Sequence, residues 1–158
     1  MNRSYPERPF VGVGVVVWRD DQVLLVRRGK PPRQGQWSLP GGMQEIGETV
    51  REAARREVME EANIEIEVIG LVDVVDSIRR DAKNDVEFHY TLVDLVAEWR
   101  AGEPRPGSDA AALRWVALDD IGGLGLWSET VRIIREAAEL RRGGKQGSAF
   151  ASPRRGPG

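Results

Sequence analysis

Apolar residues in this chain first occur as near-continuous runs. FVGVGVVVW (10–18) and VLLVRR (23–28) flank the polar turn Arg19-Asp20-Asp21-Gln22. Valine-rich runs bounded by turn residues predict a strand hairpin, its first strand buried on at least one face. Gly29-Lys30-Pro31-Pro32 breaks the second strand, and Ser38-Leu39-Pro40-Gly41-Gly42 is expected as a short extended piece ending in a sharp glycine turn. The period then changes to that of a helix beginning at Thr49, where Thr49 and Glu52 form a capping-box pattern and Val50 starts an apolar stripe. Alternation returns over 64–78, a charged turn is expected over 79–85, and a long strand over 86–99. A Gly/Pro-rich loop (100–108) leads to a last strand around 113–117, and 129–142 reads as a second helix, apolar at Val131, Ile134 and Ala138. The expected organisation is a flexible N-terminal arm (1–9), one mixed α/β domain (10–142) and a disordered Gly/Arg-rich tail (143–158).

The first helix breaks the usual rule for charge. With Val50 at zero and ~100° per residue, Ala54, Val58 and Ala62 form the stripe to be buried. Glu61 falls at roughly 20°, inside that stripe, and Glu57 about as far on the other side; Glu60 flanks them. Two carboxylates four residues apart repel each other, and the C-terminal end of a helix dipole disfavours both. Burying them without a partner costs several kcal/mol each, roughly. A cation belongs there, and a metal ion is the expected one. Glu52, by contrast, reads as a solvated helix residue.

Composition narrows what else the chain can be. There are no cysteines and one histidine, which excludes a disulfide framework and a zinc site of the usual kind. The longest apolar run is too short to span a bilayer, and the N-terminus lacks the basic and apolar regions of a secretory signal, so a cytoplasmic protein is expected with no membrane partner. The net charge of −2 conceals a basic tail of five positive residues from Arg141 onward, against 18 basic and 25 acidic residues before it. An acidic body argues against long nucleic acids and suits divalent cations.

The residues from Gly42 to Ile64, GMQEIGETVREAARREVMEEANI, match the box GX5EX7REUXEEXGU, where U is bulky and apolar. In this respect the chain resembles the Nudix hydrolases. Gly42, Glu48, Arg56, Glu57, Val58, Glu60, Glu61 and Ile64 occupy box positions, and the one departure is Asn63 for glycine. Asparagine tolerates the left-handed backbone expected there, so a small stability cost and retained activity are expected. The segments VGVGVVVW, VLLVRRGKPPRQGQWSLPGG, HYTLVDLVAEW and SDAAALRWVALDDI extend the likeness to a subgroup described as ADP-ribose pyrophosphatase-like. The resemblance implies an α/β/α sandwich around a mixed β-sheet.

It also implies hydrolysis of a nucleoside diphosphate linked to another moiety, by water attack at phosphorus, with ADP-ribose or a related ADP-sugar as substrate. Mg²⁺, or Mn²⁺ in its place, would be held by oxygen ligands: Glu57, Glu60, Glu61 and the Gly42 carbonyl. Arg56 would orient the glutamates and Glu48 would tie the loop to the helix. An additional base is expected at Glu103 or Asp109, with Glu87 and Glu98 weaker candidates. Arg27 or Arg28 could face a phosphate, although solvated strand-end arginines are commoner. Trp37 reads as a packing residue and His89 as a surface or hydrogen-bonded one. Two alternatives remain: a nucleoside triphosphate pyrophosphatase that removes unwanted nucleotides, and a domain that senses a nucleotide without cleaving it. Relatives that build the site between subunits make a homodimer an expectation too.

Overall fold

The computed structural model describes residues 2–29, 34–107 and 109–143. Of the expected tail, Gly143 closes the last helix and residues 144–158 lie outside the described residues. The elements run β1 (Phe10–Arg19), β2 (Gln22–Arg28), β3 (Trp37–Ser38), β4 (Gly41–Met43), α1 (Val50–Ala62), β5 (Glu65–Arg80), β6 (Val86–Ala101), β7 (Ala110–Ala117), a short 3-10 turn (Leu118–Gly123) and α2 (Ser128–Gly143).

The seven strands form one mixed sheet in the order β3-β2-β1-β6-β5, with β4 also on β1 and β7 on β2. β1 and β6 are parallel from Phe10↔Tyr90 to Trp18↔Glu98, while the other pairings are antiparallel. On its other edge β1 meets β4 at Gly12–Gly14 and β2 only at Trp18 and Arg19. That division leaves β4 free to run beside α1, and it sets up the site described below.

Side-chain alternation sends β1 to both faces, which is why its run of valines is nearly unbroken. Val15 and Val17 join Leu24, Leu95 and Ala97 beneath Ala54, Val58 and Ala62 of α1. Val16 and Trp18 join Leu25, Val75 and Val96 beneath Ile133, Ile134, Ala137 and Ala138 of α2. The result is a helix on each face of a mixed sheet, the α/β/α sandwich expected.

Three local expectations change. The glycine turn is not a turn, because Gly41 and Gly42 lie in β4 opposite Gly14 and Val13. The charged turn shortens to Asp81–Asp85, since Arg79 and Arg80 still pair with Phe88 and Val86. There Asp81 accepts the amides of Lys83 (2.9 Å) and Asp85 (3.0 Å), closing the reversal with its own carboxylate. β7 starts at Ala110 because its alanines pair with Arg27 and Arg28, a tertiary gain that their side chains do not advertise. Residues 2–9 are irregular and are tied down at Tyr5, whose N–H donates to Glu87 O (2.8 Å) and whose hydroxyl donates to Asp81 (2.7 Å).

Candidate active site

α1 owes its ends to local chemistry. Thr49 caps the N-terminus, its hydroxyl accepting the Glu52 N–H at 3.0 Å while the Glu52 carboxylate accepts the Thr49 N–H at 2.9 Å. Such a reciprocal cap contributes about 1 kcal/mol. At the other end Asn63 takes the left-handed conformation (φ 60°, ψ 35°), and its N–H closes on Met59 O at 2.9 Å. Between the caps, one side of the helix faces the sheet and the adjoining side faces β4.

β4 comes close because it has no side chains in the way. A Cβ on Gly42 would lie 2.4 Å from the Glu57 carboxyl carbon and 2.5 Å from both its oxygens. A Cβ on Gly41 would lie 2.0 Å from Val13 O, and its φ of 157° is at the limit of what other residues adopt. The glycines therefore serve close approach of backbone to carboxylate. The Gly41 N–H donates to Glu61 Oε1 at 3.0 Å, a contact that sequence reasoning missed. Its only signal was the doubled glycine before an acid helix.

Arg56 organises the remaining acids. Its Nε and Nη2 donate to the two oxygens of Glu48 (2.5 and 3.0 Å), and Nη1 donates to Glu57 (2.8 Å) and Glu60 (3.2 Å). Nη2 also reaches Met43 O at 2.9 Å, so one guanidinium joins β4, the following loop and the helix. Glu48 accepts the Glu45 N–H as well, at 2.9 Å. The side chains of Glu48 and Glu57 are only 13% and 15% exposed, against 52% for Glu60.

Electrostatics divide these acids by their surroundings. Arg56, with help from the Glu45 amide, holds Glu48 below the usual carboxylate range. Burial pushes Glu57 up despite Arg56. Burial pushes Glu61 further, to about 7, with Glu57 and Asp109 adding repulsion while the Gly41 amide and Arg28 oppose the rise. A half-buried acid with one amide donor, two anionic neighbours and a single opposing arginine suits a bound cation.

The expected outer residues separate cleanly. Asp109 and Arg28 both act electrostatically on Glu61, so the fold brings them to the helix. Arg27 lies over the Trp37 ring at 5.7 Å, and Trp37 packs against the α2-side core. Glu103 is engaged by Arg19 at 3.1 Å, Glu98 by Arg141 at 2.5 and 3.0 Å, and the Glu87 carbonyl accepts the Tyr5 amide. His89 sits in mid-strand opposite Ile78, half-buried.

Glu57, Glu60, Glu61 and the Gly42 carbonyl offer hard oxygen donors, the set preferred by Mg²⁺-like ions. Among the described residues no three acidic or histidine side chains already surround a common point, since Glu57 and Glu60 are turned onto Arg56. The donor chemistry, the desolvated Glu61 and the close approach of the Gly42 backbone to the Glu57 carboxylate fit a divalent cation.

Residues 8–137 match the family model of the NUDIX domain. An ADP-ribose pyrophosphatase of Methanocaldococcus jannaschii is 32% identical over 135 residues, covering 85% of this chain and 76% of that protein. A human 8-oxo-dGDP phosphatase is 42% identical over 65 residues, 41% of this chain and 20% of that protein. The crystal structure of a MutT NUDIX hydrolase from Burkholderia pseudomallei superposes with a TM-score of 0.71 at 37% identity, covering 82% of this chain and 98% of that one. Enzymes of this family generally use a divalent metal, in keeping with the oxygen donors gathered here. Motif, sandwich, site geometry and relatives agree, and the chain belongs to the NUDIX domain family as a Nudix hydrolase.

Proposed function

We propose that the chain is a Mg²⁺-dependent pyrophosphatase that cleaves ADP-ribose, or a closely related ADP-sugar, to AMP and a sugar phosphate. The observation that carries the reaction is Glu61: half-buried in the helix seam, accepting the Gly41 N–H at 3.0 Å, and raised by desolvation and by the charges of Glu57 and Asp109. The substrate class rests on the Methanocaldococcus relative, whose likeness spans nearly the whole domain. A bound divalent cation would neutralise the pyrophosphate and lower the pKa of a coordinated water.

The chain's own residues do the rest. Glu57, Glu60 and Glu61 with the Gly42 carbonyl supply the oxygen ligands. Arg56 fixes the angle of Glu57 and Glu60 and binds Glu48, so that the loop before the helix cannot swing away. Asp109, whose charge reaches Glu61, would accept the proton of the attacking water. Arg28, whose charge also reaches Glu61, would face a substrate phosphate. Attack of water at one phosphorus forms a new P–O bond, breaks the bond to the bridging oxygen and releases two phosphate monoesters.

Incubation with ADP-ribose and Mg²⁺, with product identification, tests this reading. AMP and ribose phosphate are expected, and EDTA should stop their release. A panel that includes oxidised and ordinary nucleoside triphosphates runs alongside. Turnover of triphosphates with ADP-ribose left intact would overturn the substrate assignment and leave the chemistry standing.

A further inference from the structure

The box position that departs from the family pattern makes a contact that glycine could not make. The last carbonyls of a helix have no partners within it. In α1 two of them are met by the loop that follows β6: Gly107 N–H donates to Glu61 O at 2.7 Å and Arg105 N–H to Ala62 O at 3.0 Å. Asn63 Nδ2 donates in return to Arg105 O at 2.9 Å. Arg105 is thus held through both its N–H and its C=O. Glycine would satisfy the left-handed backbone at position 63 but carries no amide to close this pair.

The contact bears on the site because of where the loop goes next. It approaches the helix so closely that a Cβ on Gly107 would fall 1.7 Å from Glu60 O. Two residues on, Asp109 accepts the Gly29 N–H with its carbonyl at 3.0 Å and adds its charge to the field on Glu61. Where this loop docks therefore sets how strongly the Asp109 charge acts on Glu61. Its start is pinned independently, by Trp99 Nε1 donating to Gly102 O at 2.7 Å and by the Arg19–Glu103 pair. Asn63 acts on the middle, between those anchors and Asp109.

We infer that Asn63 is a positioning residue whose side-chain amide clamps residues 102–107 to the C-terminus of the acid helix and thereby sets how Asp109 acts on Glu61. The inference rests on the reading of that helix as the catalytic centre. It replaces the view of Asn63 as a tolerated stand-in for glycine.

Asn63→Gly in the full chain isolates the clamp, because the backbone conformation stays accessible and only the amide is lost; Asn63→Asp keeps the shape and removes the donor. Amide hydrogen exchange should show loss of protection at Arg105 and Gly107 in both variants. For the nucleotide that the parent hydrolyses, kcat should fall about tenfold in both, with KM little changed. In an Asp109→Asn background, Asn63→Gly should cost almost nothing further. Unchanged exchange, unchanged kcat, an effect confined to Asn63→Asp, or full additivity with Asp109→Asn would each overturn the inference. Exchange is read without substrate, so failure of the ADP-ribose assignment would show separately from failure of the clamp.

Discussion

Each helix of this protein carries an arginine bonded to three carboxylates, and only one of the two clusters makes a site. On α2, Arg132 pairs with Asp73, Glu129 and Glu136 at 2.7–3.0 Å, all three acids 37–44% exposed at the side chain. On α1, Arg56 hydrogen-bonds Glu48, Glu57 and Glu60, two of them under 16% exposed, lies 3.8 Å from Glu45, and also reaches a strand carbonyl. The α2 cluster is a solvated network around a helix whose buried side is wholly apolar. In α1 the acids descend to the seam, because β4 presents bare glycine backbone where a strand would otherwise present side chains. The number of hydrogen-bonded acids does not distinguish the two clusters. What distinguishes them is whether the facing backbone lets carboxylates be buried without neutralising them.

The largest test of this contrast is Glu61→Gln. Turnover should fall at least about 100-fold, because a charged ligand is lost where charge develops. Stability should move the other way. Glu61 has a folded pKa of about 7, above its ordinary value, so it binds more protons folded than unfolded between about 4.5 and 7. Its burial therefore costs the metal-free protein stability progressively as pH rises through that window. At pH 8 without metal, Glu61→Gln should melt higher than the parent; at pH 4 the two should coincide. Added Mg²⁺ should raise the parent's Tm at pH 8 and do much less for the variant. A variant that melts lower at pH 8 without metal would show that Glu61 is not an uncompensated charge.

Gly42→Ala comes next. The new methyl would overlap the Glu57 carboxyl, so roughly 100-fold loss of kcat/KM is expected with the circular dichroism of a folded protein. Retained activity would mean that β4 and α1 need not approach so closely.

A buried acid on the opposite side of the sheet sharpens the comparison. Asp94 is 7% exposed, paired with Gly14 across β1 and β6, and a Cβ on Gly14 would lie 2.3 Å from its Oδ1. Burial raises it to about 6, with Asp73 and Glu129 adding to the rise and Arg132 opposing it. The same sign applies: stability is lost as pH rises from about 4 to about 6. Asp94→Asn should therefore stabilise the protein at pH 7, by on the order of 2 kcal/mol, and have little effect at pH 3.5. Urea unfolding at the two pH values measures it, and the gain should be indifferent to Mg²⁺. The smallest effect belongs to Arg132→Ala, which should leave turnover unchanged and barely move the melting temperature, because solvent screens its pairs. A large loss of activity there would erase the distinction between the two arginines.

Much of the acid helix was legible in the chain itself, because its evidence is local. Caps lie within four residues of what they cap, and wheel angles need only the helical period, so Thr49, Asn63 and the inward set of Glu57 and Glu61 follow from spacing. Choices between neighbours did not. Arg27 and Arg28 are equivalent as letters, yet strand pleat sends one to Trp37 and the other toward Glu61. Glu103 and Asp109 share a loop, and only the loop's docking on α1 separates them. Asp94 stands in an apolar stretch whose one hint was its charge, since its opposite number, Gly14, is eighty residues away and the register of β1 on β6 is a long-range fact.

By itself the sequence determined a mixed α/β chain with a capped helix, and it set acids in that helix's apolar stripe, where a cation is expected. Those follow from hydrogen bonding and periodicity within a few turns of chain. Only the tertiary structure decided what the glycines are for, which outer residues reach the helix, and that Asn63 holds the loop as well as ending the helix. The physical reason is that close approach, strand register and mutual repulsion between distant acids are properties of chain segments brought together, and no single segment contains them.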